Sequence, residues 1–134
     1  MIFLDTSFLV AYYNTDDVHH KKAIPIMQEI KDGKYGETCI NDCIVNECGT
    51  VNLLIMKNIS KTKEILASII QSSSLVHIDE QAFQETYELF TSQDTTQLSF
   101  TDCSIIATMR EKRIIHLVTF DQEFKKVKGI VVID

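Results

Sequence analysis

Met1-Ile2-Phe3-Leu4-Asp5-Thr6-Ser7 opens the chain and sets its architecture: a strand-like apolar run stops at an acid, and helical spacing follows over residues 7–13. Similar runs, short and rich in β-branched residues, recur at residues 38–40, 75–78, 115–118 and 130–133. With residues 1–4 they make five expected strands. Helical spacing also fills residues 17–31, 42–57, 60–72, 80–92 and 101–112. Strands apolar on both faces that alternate with helices predict an α/β fold in three layers, a parallel or mostly parallel sheet covered on both sides. Asn41-Asp42, Ser60, Asp79 and the stretch Ser99 to Asp102 supply helix starts, and Gly33 and Gly36 punctuate the turn into the second strand. Pro25 falls well inside the second helical stretch, which predicts a kink or two shorter helices there.

The length of 134 residues suits one domain over residues 1–134. Hydrophobic residues make up 45% and charged residues 24%, with 4 Gly and 1 Pro, which excludes disordered, collagen-like and linker-rich chains. No apolar run approaches the roughly 20 residues of a membrane span. The early Asp5 argues against a secretory leader, so a cytoplasmic location without a membrane partner is expected. Cys39, Cys43, Cys48 and Cys103 contain no CxxC pair and read as packed thiols in place of a zinc site or disulfide framework. A formal charge of -6 and a pI near 5.1 exclude nucleic-acid binding by charge alone, but leave room for a metal-dependent acidic site.

Ligand crevices of parallel sheets lie at the carboxyl ends of the strands, where the crossover helices begin. Asp5 ends the first strand, and Asp121 follows the fourth in Leu117-Val118-Thr119-Phe120-Asp121. Glu47 lies in the second turn of the helix after the second strand. Asp102 lies in the first turn of the helix before the fourth, and residues 93–100, extended at about 3.3 Å each, reach back far enough to bring it to the same edge. Each acid has a plain structural use as well. Asp5, Asp102 and Asp121 suit helix or turn starts, Glu47 suits an exposed helix face, and Asp42 fits an N-cap and is left out of the site. Four carboxylates brought together repel and raise one another's pKa unless cations hold them, and oxygen-only ligands favour Mg²⁺ or Mn²⁺ over zinc. Such ions activate water and neutralise charge on a phosphate, so no catalytic histidine is required. His19, His20, His77 and His116 are read as core or surface residues away from the acids, the last two within strands.

Leu4-Asp5-Thr6-Ser7, Asn46-Glu47, Phe100-Thr101-Asp102-Cys103-Ser104-Ile105-Ile106-Ala107 and Val118-Thr119-Phe120-Asp121-Gln122-Glu123-Phe124, in this order, resemble a PIN domain over essentially the whole chain. The resemblance implies a five-stranded parallel sheet flanked by helices and metal-dependent endoribonuclease activity. It also implies a kinship with VapC-type toxins, which are commonly homodimeric and held inactive by a small antitoxin. It places Asp5, Glu47, Asp102 and Asp121 in the acidic site, with Thr6 and Thr119 as supporting hydroxyls. On this basis Asp5, Asp102 and Asp121 would hold a first Mg²⁺ or Mn²⁺, and Glu47 a second ion or the attacking water. Thr119 would orient Asp121, and cleavage of RNA would leave a 5′-phosphate and a 3′-hydroxyl. The four cysteines lie outside the family pattern, and Cys103 sits beside Asp102.

The basic runs at residues 110–113 and 125–128 either flank the cleft or are ordinary solvated surface. Val51, Leu54, Ile55, Ile65, Leu66, Ile69 and Ile70 serve the core or a dimer or antitoxin interface. A non-catalytic PIN-fold binding module and a DNA-directed nuclease of related architecture are the competing readings. A phosphoryl-accepting receiver fits worse, since only Asp79 meets its pattern, and an aspartyl phosphatase would need a second acid where Thr6-Ser7 stand.

Overall fold

Ile2, Phe3 and Leu4 are 0%, 0% and 3% exposed, although successive side chains of a strand point to opposite faces, so both faces of this first strand are covered. The computed structural model describes residues 1–134. Its elements run β1 (Ile2–Leu4), α1 (Thr6–Tyr13), α2 (His20–Lys31), β2 (Thr38–Asn41), α3 (Asp42–Met56) and α4 (Ile59–Ser72). They continue with β3 (Ser74–Val76), α5 (Glu80–Thr91), α6 (Phe100–Lys112), β4 (His116–Val118), a 3-10 turn at Gln122–Lys126 and β5 (Val131–Ile133). All neighbouring strands are parallel, in the order β3-β2-β1-β4-β5, which is the expected α/β architecture. The order reverses beside β1, whose crossover leads to β2 on one side while β4 pairs on the other. The carboxyl ends of β1 and β4 therefore frame a topological switch point, where ligands of such sheets bind.

The core gathers Phe3, Phe8, Ile40, Ile105, Leu117 and Phe124 around the three inner strands, each fully buried, while β3 and β5 remain partly open at the edges. Apolar area removed from water at this centre is the main force holding the layers together. Ile65 and Ile69 of α4 join the core, whereas Leu54 and Ile55 of α3 and Ile70 of α4 stay exposed.

Four local expectations change. The second helix starts at His20 instead of residue 17, because residues 14–19 form consecutive turns: the Asp17 amide donates to the Asn14 carbonyl and the His20 amide to the Asp17 carbonyl. Pro25 thereby falls in the second turn, and one helix continues through it. β3 ends at Val76, so His77 lies outside the strand, largely exposed, with its Nδ1 2.9 Å from Asp42. Asn41, not Asp42, caps α3, and Asp42 instead accepts from the Ile78 amide at 3.2 Å.

Asn41 also joins three elements. It is fully buried at the end of β2; its Oδ1 accepts from the Ile44 amide of α3 (3.1 Å), and its Nδ2 donates to the Ser104 and Thr108 hydroxyls of α6 (3.1 and 3.0 Å). The start of α3 and the middle of α6 are thus fixed relative to the sheet. Asn41→Ala loses a cap and two buried side-chain hydrogen bonds, and should destabilise by about 2 kcal/mol; thermal unfolding checks this as a Tm lowered by several degrees, and an unchanged Tm would remove Asn41 from that role.

Candidate active site

Asp5 continues β1, its amide donating to the Val118 carbonyl at 3.1 Å, and its carboxylate is 3% exposed. It caps α1 by accepting from the Ser7 amide (3.3 Å). The Ser7 hydroxyl donates to the same oxygen, Oδ2, as does the Thr119 hydroxyl at 2.6 Å. Both hydroxyls are set by backbone donors beyond β4: the Phe120 amide donates to Ser7 Oγ (3.0 Å) and the Asp121 amide to Thr119 Oγ1 (2.9 Å). Burial pushes the Asp5 carboxyl above its ordinary range and the nearby Glu47 adds to this, while the Ser7 and Thr119 hydrogen bonds oppose it.

Asp102 stands at the third position of α6 in a capping box with Ser99. Its Oδ2 accepts from the Ser99 amide (2.7 Å), and its own amide donates to Ser99 Oγ (3.1 Å). Burial pushes this carboxyl up to about 6, and the charges of Asp5 and Asp121 push the same way. Asp121 caps the 3-10 turn, its Oδ1 accepting from the Glu123 amide at 2.8 Å. Glu47, in the second turn of α3, shares a helix face with Val51. The capping uses read from the sequence are therefore real for Asp5, Asp102 and Asp121, and all four acids nevertheless line one cleft of about 340 Å³.

The donor chemistry of this cleft suits a hard divalent cation. Hydrogen bonds to Asp5 and Asp102 land on Oδ2 and those to Asp121 on Oδ1, while Glu47 accepts none, so every acid keeps an oxygen for another partner. The buried Thr6 hydroxyl, beside the Cys48 thiol, also lacks a hydrogen-bond partner. No three His, Cys, Asp or Glu side chains stand close enough to grip an ion as now arranged.

Several residues take roles that periodicity alone does not disclose. Ser7 is a direct partner of Asp5. Thr119 holds Asp5 through its hydroxyl, and the same oxygen accepts from the Asp121 backbone amide. Asp17 and His19 line the cleft, so one histidine does stand beside the acids; the turns that delay α2 bring it there. The motif Asp5-Thr6-Ser7 offered a signal for Ser7, a hydroxyl two residues past an N-cap acid, whereas nothing local marked His19. Cys39, Cys48 and Cys103 are buried and Cys43 half-buried, all unpaired. Burial pushes the Cys103 thiol up to about 11 and Cys48 up to about 12, so both stay protonated and unreactive at neutral pH. None of the bases in the two basic runs lines the cleft. Arg110, Lys112, Lys125 and Lys126 pair instead with Glu85, Glu111, Asp134 and Glu123 on the surface.

The sequence is 27% identical over 127 residues to the 23S rRNA-specific endonuclease VapC20 of Mycobacterium tuberculosis, covering 92% of each chain. It is 25% identical over 124 residues to a VapC ribonuclease of Archaeoglobus fulgidus, covering 90% of this chain and 77% of the relative. The crystal structure of VapC20 superposes with a TM-score of 0.85 at 24% identity, over 98% of this chain and 97% of the other. A toxin-antitoxin complex from Klebsiella pneumoniae contains a chain of the same fold, with a TM-score of 0.70 at 16% identity and coverage of 98% and 96%. The PIN domain family model matches residues 2–130, and with that span the chain belongs to the PIN domain family.

Proposed function

We infer that this PIN-domain chain is an endoribonuclease of the VapC toxin type, hydrolysing RNA phosphodiester bonds with Mg²⁺ or Mn²⁺. The observation that carries the reading is the convergence of Asp5, Glu47, Asp102 and Asp121 on one cleft at the switch point, each with an uncommitted oxygen. Relatives named as ribonucleases, matched over most of their length, support RNA as the substrate. Asp5, Asp102 and Asp121 are the ligands we assign to a first ion, with Glu47 serving a second ion or the attacking water. A divalent ion held there lowers the pKa of bound water and offsets the charge that builds on the phosphate.

The chain's own residues supply placement. Ser7 and Thr119 fix the Asp5 carboxyl in place, and their hydrogen bonds partly offset the effect of its burial. Ser99 clamps Asp102 at the start of α6, and the Asp121 amide ties the fourth acid to the hydroxyl that also holds Asp5. Attack in line with the scissile bond would leave a 5′-phosphate and a 3′-hydroxyl. A small protein antitoxin and a second copy of the chain are the partners we propose. The fold is shared with a chain of a toxin-antitoxin complex, and Leu53, Leu54, Ile55 and Ile59 leave apolar surface exposed on α3 and α4. No helix is long and apolar enough to cross a membrane.

Cleavage of a labelled structured RNA pool should require Mn²⁺, stop with EDTA, and vanish in Asp5→Asn and Asp102→Asn while circular dichroism stays native; retained cleavage in both variants would sink the assignment. Ser7→Ala and Thr119→Val should each lower kcat by about 10- to 100-fold, the usual effect of losing a partner that orients a metal ligand, read in the same assay. A folded carboxyl at about 6 against an ordinary 3.8 means that ionising Asp102 opposes folding, so metal-free protein should lose stability as pH rises from 3.8 to about 6. At pH 7 Asp102→Asn should therefore melt above metal-free wild type, and Mn²⁺ should raise the Tm of wild type far more than that of the variant. A lower Tm for the variant would contradict this electrostatic account.

A further inference from the structure

The walls of the acid cleft hold five carboxylates, those of Asp5, Asp17, Glu47, Asp102 and Asp121, and no lysine or arginine. A nucleic-acid backbone meets repulsion everywhere here except where a cation sits, so nucleotides flanking the cleaved bond need a contact that does not depend on charge. One group in the lining offers it. The His19 ring stacks on Phe120 with centroids 4.4 Å apart and planes 13° from parallel. Phe120 is itself 8% exposed and rests against the fully buried Phe8 at 6.1 Å, so the imidazole is the outermost member of an aromatic column rising from the core. Phe120 also directly precedes Asp121, which places the column one residue from a cleft acid.

The segment carrying His19 is fixed on several sides. Its amide donates to Asp17 Oδ1 (2.8 Å), the Asp16 amide donates to Asn14 Oδ1 (3.2 Å), and the next residue, His20, donates from Nδ1 to the Ala11 carbonyl of α1 (2.7 Å). The imidazole ring itself makes no hydrogen bond. His19 is half-buried, with one ring face stacked on Phe120, and the residue lines the cleft. A flat, pre-set aromatic face of this kind suits an unpaired base, which single-stranded or looped RNA presents and which proteins hold by stacking.

We infer that His19, supported by Phe120, is a nucleobase-stacking subsite that holds a nucleotide next to the cleaved phosphate. The inference rests on the ribonuclease reading and adds to it a residue for substrate binding. A stacked base is worth roughly one to two orders of magnitude in affinity, and the ring supplies it in either protonation state.

The test uses the full chain with a short single-stranded RNA carrying one 2-aminopurine, whose fluorescence falls on stacking, in Ca²⁺ for binding and Mn²⁺ for cleavage. Wild type should quench the probe. His19→Ala, shown by circular dichroism to be folded, should bind about 10-fold more weakly without quenching, and should raise KM about 10-fold with kcat nearly unchanged. His19→Phe, which keeps a ring and abolishes any charge, should restore quenching and KM, whereas His19→Lys should restore neither. Rescue by Lys in place of Phe would overturn stacking in favour of a phosphate contact. If wild type cleaves with Mn²⁺ while His19→Ala matches it in KM and quenching, the subsite falls and the ribonuclease reading stands. If wild type neither binds nor cleaves the RNA, both fall.

Discussion

A carboxylate that is almost wholly removed from water needs donors if it is to remain an anion, and Asp5 obtains them from two hydroxyls that arrive from different parts of the chain. Ser7 comes from the first turn of α1 and Thr119 from the end of β4. Each is locked in turn by a backbone amide of the loop after β4. The consequence is one rigid unit made of the central strand, the helix that leaves it and the loop that carries Asp121. Phe120 is part of that unit, so the aromatic column ending in His19 inherits its position from the same hydrogen bonds. Asn41 does a similar service on the other flank, joining β2, α3 and α6 and so setting the elements that carry Glu47 and Asp102.

Much of this was legible in the residues. Five β-type runs separated by helical spacing disclosed the parallel sheet, because burial on both faces leaves a continuous apolar signature. The rule that crossover helices start at the carboxyl edge was enough to bring four distant acids together. Less legible were features decided by side-chain hydrogen bonds or by the path of a short loop. Asn41 and Asp42 are equally good caps on paper; burial of the first and the Ile78 amide waiting for the second separate them. His19 looked remote because the helical pattern extended back to residue 17, whereas successive turns at 14–19 redirect the chain towards the acids. Ser7 is one hydroxyl among many in the sequence, and only the return of β4 beside β1 gives it a second partner.

Capping and ligation are often weighed as rival explanations of an acid at a helix start, but here they cooperate. Asp5, Asp102 and Asp121 each use one oxygen to satisfy a backbone amide near the start of a helix or turn, which fixes the side chain where an uncapped acid would rotate freely. The other oxygen is then presented in a defined direction. Glu47, with no such bond, is the adjustable member of the set.

The bond between Thr119 and Asp5 closes a loop of 114 residues, so the centre spans nearly the whole chain. Contacts of such long sequence separation carry a loop-closure cost and slow the folding of the chains that depend on them. During synthesis Asp5 emerges first, and Asp102, Thr119 and Asp121 follow it only much later. The acid set proposed for cleavage is therefore incomplete until the segment through Asp121 has been made.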